Sequence, residues 1–187
     1  MMFRSVAAAA AILAVAMPAL AQDADPGTIA AEQAAMKKLD WMRGRWRGPA
    51  TGHGASGEYH VTQTERIGPF LNGTVMVMEG KGFRADGSPG FNAFGILSFD
   101  PHSGDYTLRS YAQGYVGTFK LVPNGTGYVW EIPAGPATIR YTANLHDGIW
   151  TEIGDRIVPG QPPQRFFEMN LKRVGDTAWP QESAQTP

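Results

Sequence analysis

Glu65 is the side chain in this sequence with the clearest potential for chemistry inside a β-structure. It shares the period-2 phase of Tyr59 and Gln63, so it is expected to point to the same face of its strand. If that face is buried, the carboxyl group needs a partner such as Arg109 or Arg140, or it keeps its proton. The sequence is compatible with a structural ion pair, a different phase after a bulge, a polar anchor for a ligand or a general base.

Arg109 and Tyr111 form a second candidate pair on one face of the predicted strand 105–113. Leu108 and Ser110 lie on the opposite face, and neither face is clearly the more apolar. The inward side of this strand is therefore left open. If it carries Arg109 and Tyr111, the arginine is a polar anchor and the tyrosine a group for proton transfer.

Several catalytic classes lack their motifs. The chain has no G-x-S-x-G nucleophile elbow and no phosphate-binding loop. It contains no cysteine, which excludes thiol nucleophiles, thiolate metal sites and covalent c-type haem. The histidines have no metal-ligand spacing and are expected in solvated turns, although barrel closure could bring His60 and His146 together. No metal site is predicted, and the four histidines are His53, His60, His102 and His146.

The first 21 residues are typical of a secretory signal. Arg4 precedes an apolar run of twelve residues from Val6 to Met17, and Ala19-Leu20-Ala21 is a small-x-small cleavage site. An uncleaved anchor is the alternative, but the run is short of the roughly 20 residues that span a bilayer. The sequence therefore predicts an exported protein, periplasmic or secreted, with no integral span in the mature chain.

Charge argues against a nucleic-acid partner. The chain has 16 Lys and Arg against 17 Asp and Glu, and cleavage after residue 21 removes one arginine and leaves a net charge of −2. The basic and aromatic stretch LDWMRGRWRG, residues 39–48, is better explained as the first strand of a barrel. Alternation along this strand points Trp46 inward to the barrel floor and points Arg45 and Arg47 outward. Trp46 is therefore also a candidate ligand contact.

Beyond a flexible leader at 22–28, an Ala-rich helix is predicted over 29–42, with Asp25-Pro26 or Thr28 as its cap. Turn signals then recur about every ten residues, as in an all-β sandwich or barrel. Gly80, Gly82, Gly114 and Gly117 suit bulges and bends of a curled sheet. The predicted strands are 45–53, 57–67, 73–84, 91–100, 105–113, 115–122, 127–132, 137–145, 149–157 and 165–174.

These strands predict an all-β fold, a single up-and-down antiparallel barrel of about ten strands with one short N-terminal helix. Closure removes the exposed edges that an open sheet would leave. The barrel domain with its helix is assigned to 29–174, and 175–187 is a predicted disordered tail. The strand at 91–100 is apolar on both faces, so its outer face is expected to be covered, with the helix as the candidate cover.

A family resemblance supports this fold. The short helix followed by Leu39-x-x-x-x-Gly44-x-Trp46-x-Gly48 resembles the opening of calycin-type barrels: lipocalins, fatty-acid-binding proteins and nitrobindin-like domains. Two further motifs resemble those of a bacterial family of exported and cytoplasmic domains without established function. They are Glu65 followed by L-x-G at 71–73, and GILSFDPHSGDY at 95–106. The resemblance implies an interior ligand. Haem is a possible cofactor, but this sequence lacks the late axial histidine of nitrobindin-like haem proteins, because its last histidine, His146, lies in a turn signal.

Three functions fit these observations. The first is an exported protein that binds a small apolar molecule, anchored by Glu65 and Arg109. The second is a pocket enzyme, an isomerase, cyclase or lyase that uses Glu65 or Tyr111. The third is a filled barrel, an envelope interaction module with no cavity above about 300 Å³. Oligomeric state and ligand identity are not predicted. Further candidate ligand contacts are Trp130, Tyr141, Phe167 and Met169.

Overall fold

A computed structural model describes residues 25–54 and 57–180. The predicted signal segment lies outside the described residues, as does most of the predicted tail. Of the predicted leader at 22–28, Pro26 to Thr28 form the first turn of the helix rather than a free segment. Of the predicted tail at 175–187, Gly175 ends the last strand and 176–180 follow it along the barrel.

Helix α1 spans Pro26–Lys37 and begins at a capped proline. The Asp25 carboxylate accepts hydrogen bonds from the Gly27 N–H at 2.9 Å and the Thr28 hydroxyl at 2.6 Å. Such a cap satisfies N–H groups that have no partner within the first helical turn. The predicted helix over 29–42 is interrupted after Lys37, and a short 3₁₀ turn at Asp40–Met42 leads into the barrel.

Ten antiparallel strands follow in simple up-and-down order, and each pairs with its neighbours in sequence. The first strand pairs with the last, so the sheet closes on itself and confirms the predicted fold class. The strands are β1 Gly44–Gly54, β2 Gly57–Phe70, β3 Val75–Phe83, β4 Pro89–Asp100, β5 Asp105–Ala112, β6 Tyr115–Asn124, β7 Gly127–Ala134, β8 Ala137–His146, β9 Ile149–Ile157 and β10 Gln164–Gly175.

The hairpin between β4 and β5 shows how local chemistry fixes the strand ends. The Asp100 side chain accepts hydrogen bonds from the His102 N–H at 2.8 Å and the Ser103 hydroxyl at 3.0 Å. Gly104 closes the turn at a φ of 74°, a value that favours glycine. The Asp-Pro-His-Ser-Gly sequence therefore forms a turn that orients the flanking strands.

Helix α1 covers one end of the barrel, where a buried apolar cluster forms what we call the floor: Leu39, Met42, Trp46, Ile67 and Leu171. The Trp46 indole N–H donates to the Met42 carbonyl at 2.7 Å, and its ring meets Trp150 edge-on. The Tyr106 hydroxyl donates to the carbonyl of Ala35 in the helix at 3.1 Å. These contacts pack the helix against the strand ends, and the opposite end is the mouth of the barrel.

The C-terminal segment, residues 176–180, contacts the outer face of β4 at Phe94, which stays 37% exposed. The Trp179 ring meets Phe94 edge-on at 6.5 Å and lies 4.4 Å from the Arg66 guanidinium carbon. Helix α1 instead lies against the floor ends of β3 and β4. The helix predicted as the cover therefore contacts β4 only at its floor end, and Trp179 adds a contact at Phe94 that the sequence did not predict.

Among the described residues, no helix has both the length and the apolar character that crossing a bilayer requires.

Candidate functional site

Above the floor, the barrel encloses a cavity of about 730 Å³. Its wall comes from side chains on nearly every strand, because alternate residues of each strand point inward. At the mouth it is bordered by Tyr59, Phe91, Tyr115 and Phe166. Tyr115 is 82% exposed there, so the cavity opens to solvent through an apolar rim.

Five of the eight candidate contacts named from the sequence line this cavity, and three do not. Trp46 lies below it in the floor, where it is 2% exposed and packed on Trp150. Arg109 and Tyr111 lie on the outer face of the barrel. The five that line the cavity are Glu65, Trp130, Tyr141, Phe167 and Met169.

The register of β5 explains why Arg109 and Tyr111 point outward. Leu108 pairs with Leu97 of β4, and both are buried inside the barrel. The alternate residues must then face solvent, where Arg109 donates to the Thr118 hydroxyl at 2.7 Å. The hypothesis that Arg109 anchors a ligand, or that Tyr111 transfers a proton in the cavity, is therefore corrected.

Glu65 points inward, and among residues 25–54 and 57–180 no Lys, Arg or His lines the cavity beside it. Its Oε1 accepts a hydrogen bond from the Gln63 amide at 2.7 Å. The carboxyl group lies against Gly80 of β3, where an added Cβ would come within 2.7 Å of Oε1. Arg140 is engaged elsewhere, in an ion pair with Glu131 at 2.6 Å on the outer face. Neither predicted arginine compensates this carboxylate.

Burial, with smaller contributions from the charges of Glu152 and Glu79, raises the pKa of Glu65 to about 8 against the opposing effect of the Gln63 hydrogen bond. The physical cause is the loss of solvating water around a charge with no cation nearby. The side chain borders the cavity, so a molecule inside it can contact the carboxyl group directly.

Glu152 on β9 is a second inward carboxyl group, which the sequence analysis missed. It is 8% exposed and accepts a short hydrogen bond from the Tyr128 hydroxyl. Burial raises the pKa of Glu152 to about 7, against the effect of the Tyr128 hydrogen bond. Burial, together with the nearby Glu152, also raises the pKa of Tyr128 well above its ordinary value.

The misleading signal in β9 is the apolar phase of Ile149, Ile153 and Ile157, which makes Glu152 look solvent-facing. The structure turns the other phase inward, with Trp150 packed into the core. The signal that could have found Glu152 is this tryptophan two residues earlier, since an aromatic ring of this size buries a large apolar area when it points into the barrel.

Aromatic rings form the upper wall of the cavity. Trp130 and Tyr141 stack with ring centroids 4.5 Å apart and planes 10° from parallel. Phe119 packs on Trp130 at 5.2 Å, and Phe167 packs on Tyr141 at 6.1 Å. Because each ring is held by another, the wall is a preformed apolar surface rather than a set of independent side chains.

Glycines at inward positions leave part of the interior of the barrel unfilled. Gly80 leaves room for the Glu65 carboxyl group, and Gly82 leaves room for the Gln63 amide. At Gly117 the missing side chain is replaced by the ring of Phe119 from the same strand. A bulge after Gly82 and the turn at Gly114, with a φ of 84°, match the predicted bends. The remaining glycines of this set therefore widen the interior rather than bend the sheet.

Within the described part of the chain, no Lys, Arg or His lines the main cavity. The four histidines are exposed, and His60 and His146 lie towards opposite ends of the barrel. No group of three or more His, Asp or Glu side chains among residues 25–54 and 57–180 is arranged to hold a metal. The cavity also offers no imidazole to a haem iron, so its residues do not fit the axial ligand of nitrobindin-like haem proteins.

The glycines at 52, 54 and 57 have the spacing of a dinucleotide-binding loop but do not form one. They belong to the hairpin of β1 and β2, where Gly54 pairs with Gly57. That loop binds a pyrophosphate only where a strand leads into a helix. An antiparallel hairpin provides no helix N-terminus for the phosphates.

No model of a known protein family matches this sequence, and no curated protein matches it significantly. Among solved structures, it is similar to the crystal structure of Rv2717c from M. tuberculosis, with a TM-score of 0.56 and 15% identity. The similarity covers 74% of this chain and 96% of that one. At this identity the comparison shows the fold alone: the chain is a closed ten-stranded antiparallel β-barrel with a structural counterpart in a mycobacterial protein.

Proposed function

We propose that this protein is an exported calycin-like barrel that binds a small, largely apolar molecule in its interior. The observation that carries the proposal is the cavity of about 730 Å³ with its stacked aromatic wall. Ligand pockets of about 300–1,000 Å³ with mainly apolar walls and a few polar groups are typical of small-molecule sites. The volume does not fit the filled, pocketless barrel of the third hypothesis.

Binding is tested with Nile red, a neutral apolar dye whose emission rises in an apolar site. Ala93 lines the cavity, whereas its neighbour Asn92 is exposed on the other side of β4. Ala93→Trp is expected to weaken dye binding at least about tenfold, which is about 1.4 kcal/mol. The matched variant Asn92→Trp should leave affinity unchanged. Equal affinities for the two variants would place the dye on the outer surface and contradict the proposal.

Export is supported by the sequence of residues 1–21 alone. Intact mass measurement of the protein recovered from the periplasm or the medium should give a chain that begins at Gln22. Recovery of the full chain from the cytosol alone would contradict this part of the proposal and leave the ligand-binding part standing.

A pocket enzyme is a second candidate, because Glu65 and Glu152 have pKa values of about 8 and about 7 beside the same cavity. Near neutral pH, one carboxylate can remove a proton from a carbon next to a ligand carbonyl while a carboxylic acid protonates the carbonyl oxygen. Apolar ketones in D₂O should then exchange their α-protons, as measured by NMR. Glu65→Gln and Glu152→Gln should abolish this exchange and Glu131→Gln should not; equal exchange in all three would exclude the candidate.

A further inference from the structure

We propose that the cavity takes an apolar amine, with its ammonium group between Glu65 and Glu152 and its apolar body along the aromatic wall. This inference rests on the proposed binding function and adds the chemical class of the ligand. The starting observation is a largely apolar cavity whose deep end holds two carboxyl groups and, among the described residues, no basic side chain.

Each carboxyl group is arranged as a hydrogen-bond acceptor with one oxygen left over. Gln63 donates to Oε1 of Glu65, and Tyr128 donates to Oε2 of Glu152. Within the described chain, the second oxygen of each group accepts no hydrogen bond, and neither is sealed away from the cavity. A ligand ammonium has several N–H donors and can serve both free oxygens.

The nearby basic side chains of the protein form ion pairs on the outer face of the barrel. Arg66 and Lys81 both reach Glu79 at 2.8 Å, and Arg140 reaches Glu131. The inward carboxyl groups therefore keep their desolvation cost, which raises the pKa of each. A cationic group of the ligand would compensate the negative charges of the two carboxylates, which a neutral ligand cannot do.

The donors aimed at the carboxyl groups argue against an anionic or purely neutral head group at this depth. The hydrogen bonds from Gln63 and Tyr128 favour the charged carboxylates, so both groups can stabilise a bound cation, whereas a bound anion would oppose their ionisation. Electrostatic complementarity therefore selects a cation. The faces of Trp130 and Tyr141 border the same space and can contact a cation or an apolar chain equally well.

The competing arrangement is an anionic amphiphile whose head lies at the mouth. A neighbouring groove there is lined by His53, Arg156 and Arg165 and shares Tyr141 with the main cavity. Arg165 already contacts Asp155 at 3.2 Å and Glu168 at 3.6 Å, and its side chain is 51% exposed. Such an exposed, paired cation attracts an anion weakly, so the deep site is the stronger one.

Three ligands with the same ten-carbon chain distinguish the deep amine site from an anionic head group at the mouth: 1-aminodecane, 1-decanol and decanoic acid. Six residues separate Tyr59 at the mouth from Glu65, which is about 20 Å along an extended strand and enough for a ten-carbon chain. By calorimetry at pH 7, the amine should bind at least about tenfold more tightly than the alcohol, with decanoic acid weakest.

Glu65→Gln and Glu152→Gln should each reduce amine affinity about tenfold and leave alcohol affinity within about threefold. Glu131→Gln, on the outer face, should change neither affinity. If either cavity variant fails to fold, the wild-type protein still decides the matter. At pH 6.5, below the raised pKa values of Glu65 and Glu152, binding of the amine should release about one to two protons to the buffer as the two groups become charged, whereas the alcohol should release none.

Equal affinity for amine and alcohol, or absence of proton release, would overturn the amine inference and leave the proposed function intact. Tightest binding of decanoic acid would overturn it in favour of the rim arrangement. If Nile red binds and none of the three ligands does, the amine inference also fails. If neither Nile red nor any of the three binds, the proposed function fails with it.

Discussion

The floor and the cavity are built by the same strands, yet one is solid and the other hollow. On β2, Ile67 in the floor is fully buried, and two residues further along the strand Glu65 borders open space. The inward positions around the cavity include Gly80, Gly95 and Gly117, and the floor instead has leucine, methionine and tryptophan. Alternation decides which residues point inward, and side-chain size decides whether they fill the interior.

The largest effect is expected where the floor is weakened. Trp46→Ala removes the contact with Trp150 and the hydrogen bond to Met42, and should lower the free energy of unfolding by about 3–5 kcal/mol. The mouth provides the control, since Tyr115→Ala removes a ring that is 82% exposed and should cost at most about 0.5 kcal/mol. Urea denaturation measures both. Similar losses would mean that the two ends do not differ as described.

A smaller loss is expected from filling the cavity wall. In Gly80→Ala, the new methyl group comes within 2.7 Å of the Glu65 carboxyl oxygen and should cost about 1–3 kcal/mol in unfolding free energy. Gly54→Ala at the mouth meets no atom of the described residues within 4 Å and should be nearly neutral. Adding Glu65→Ala to Gly80→Ala should recover part of the loss. Full additivity of the two changes would contradict the proposed clash.

The pH dependence of stability tests the two inward carboxyl groups. Burial raises the pKa of Glu65 to about 8 and that of Glu152 to about 7, so between about pH 4.5 and 8 the folded protein binds more protons than the unfolded chain. The free energy of unfolding should fall as the pH rises through this window, by at most about 1.4 kcal/mol per pH unit for each group.

The matched control is the double variant with Glu65→Gln and Glu152→Gln, which should show a flatter profile from pH 5 to 8 by chemical denaturation. Glu131→Gln on the outer face should keep the wild-type slope. A double variant that keeps the wild-type slope would show that these groups do not titrate with raised pKa values in the folded protein.

The smallest effect is expected on the outer wall. Trp179→Ala removes a ring that lies 4.4 Å from the Arg66 guanidinium carbon and beside Phe94, and should cost about 0.5–1 kcal/mol. Trp179→Phe should recover much of this loss. A loss as large as that of Trp46→Ala would mean that the C-terminal segment belongs to the core rather than to an outer cover.

Much of the fold could be predicted from the sequence because local rules set it. Turn residues such as Asp100 and Gly104 fix strand ends, and the predicted and observed strands differ by only a few residues at their ends. The phase of Glu65 followed from simple alternation. The predicted helix was too long, because its apolar positions continue through the 3₁₀ turn that docks on the floor.

The candidate site was only partly predictable, because orientation across a closed barrel is set by partners far apart in sequence. Arg109 and Leu108 have equivalent local patterns, and the pairing of Leu108 with Leu97 decides between them. Glu152 lies in a strand whose isoleucines suggest the opposite face. In both strands, pairing with residues far away in sequence decides which face points inward, and the local alternation does not.

The sequence by itself determined an all-β barrel after one helix, the approximate strand boundaries and the strand phase that Glu65 shares with Tyr59 and Gln63, because turns and alternation are local properties of the chain. Only the tertiary structure decided that the interior is hollow, that Glu152 joins Glu65 beside the cavity and that no basic side chain among residues 25–54 and 57–180 accompanies them there. The physical reason is that cavity volume and charge compensation depend on which side chains meet across the barrel. Closure of the barrel, and no single segment, decides which inward side chains come into contact.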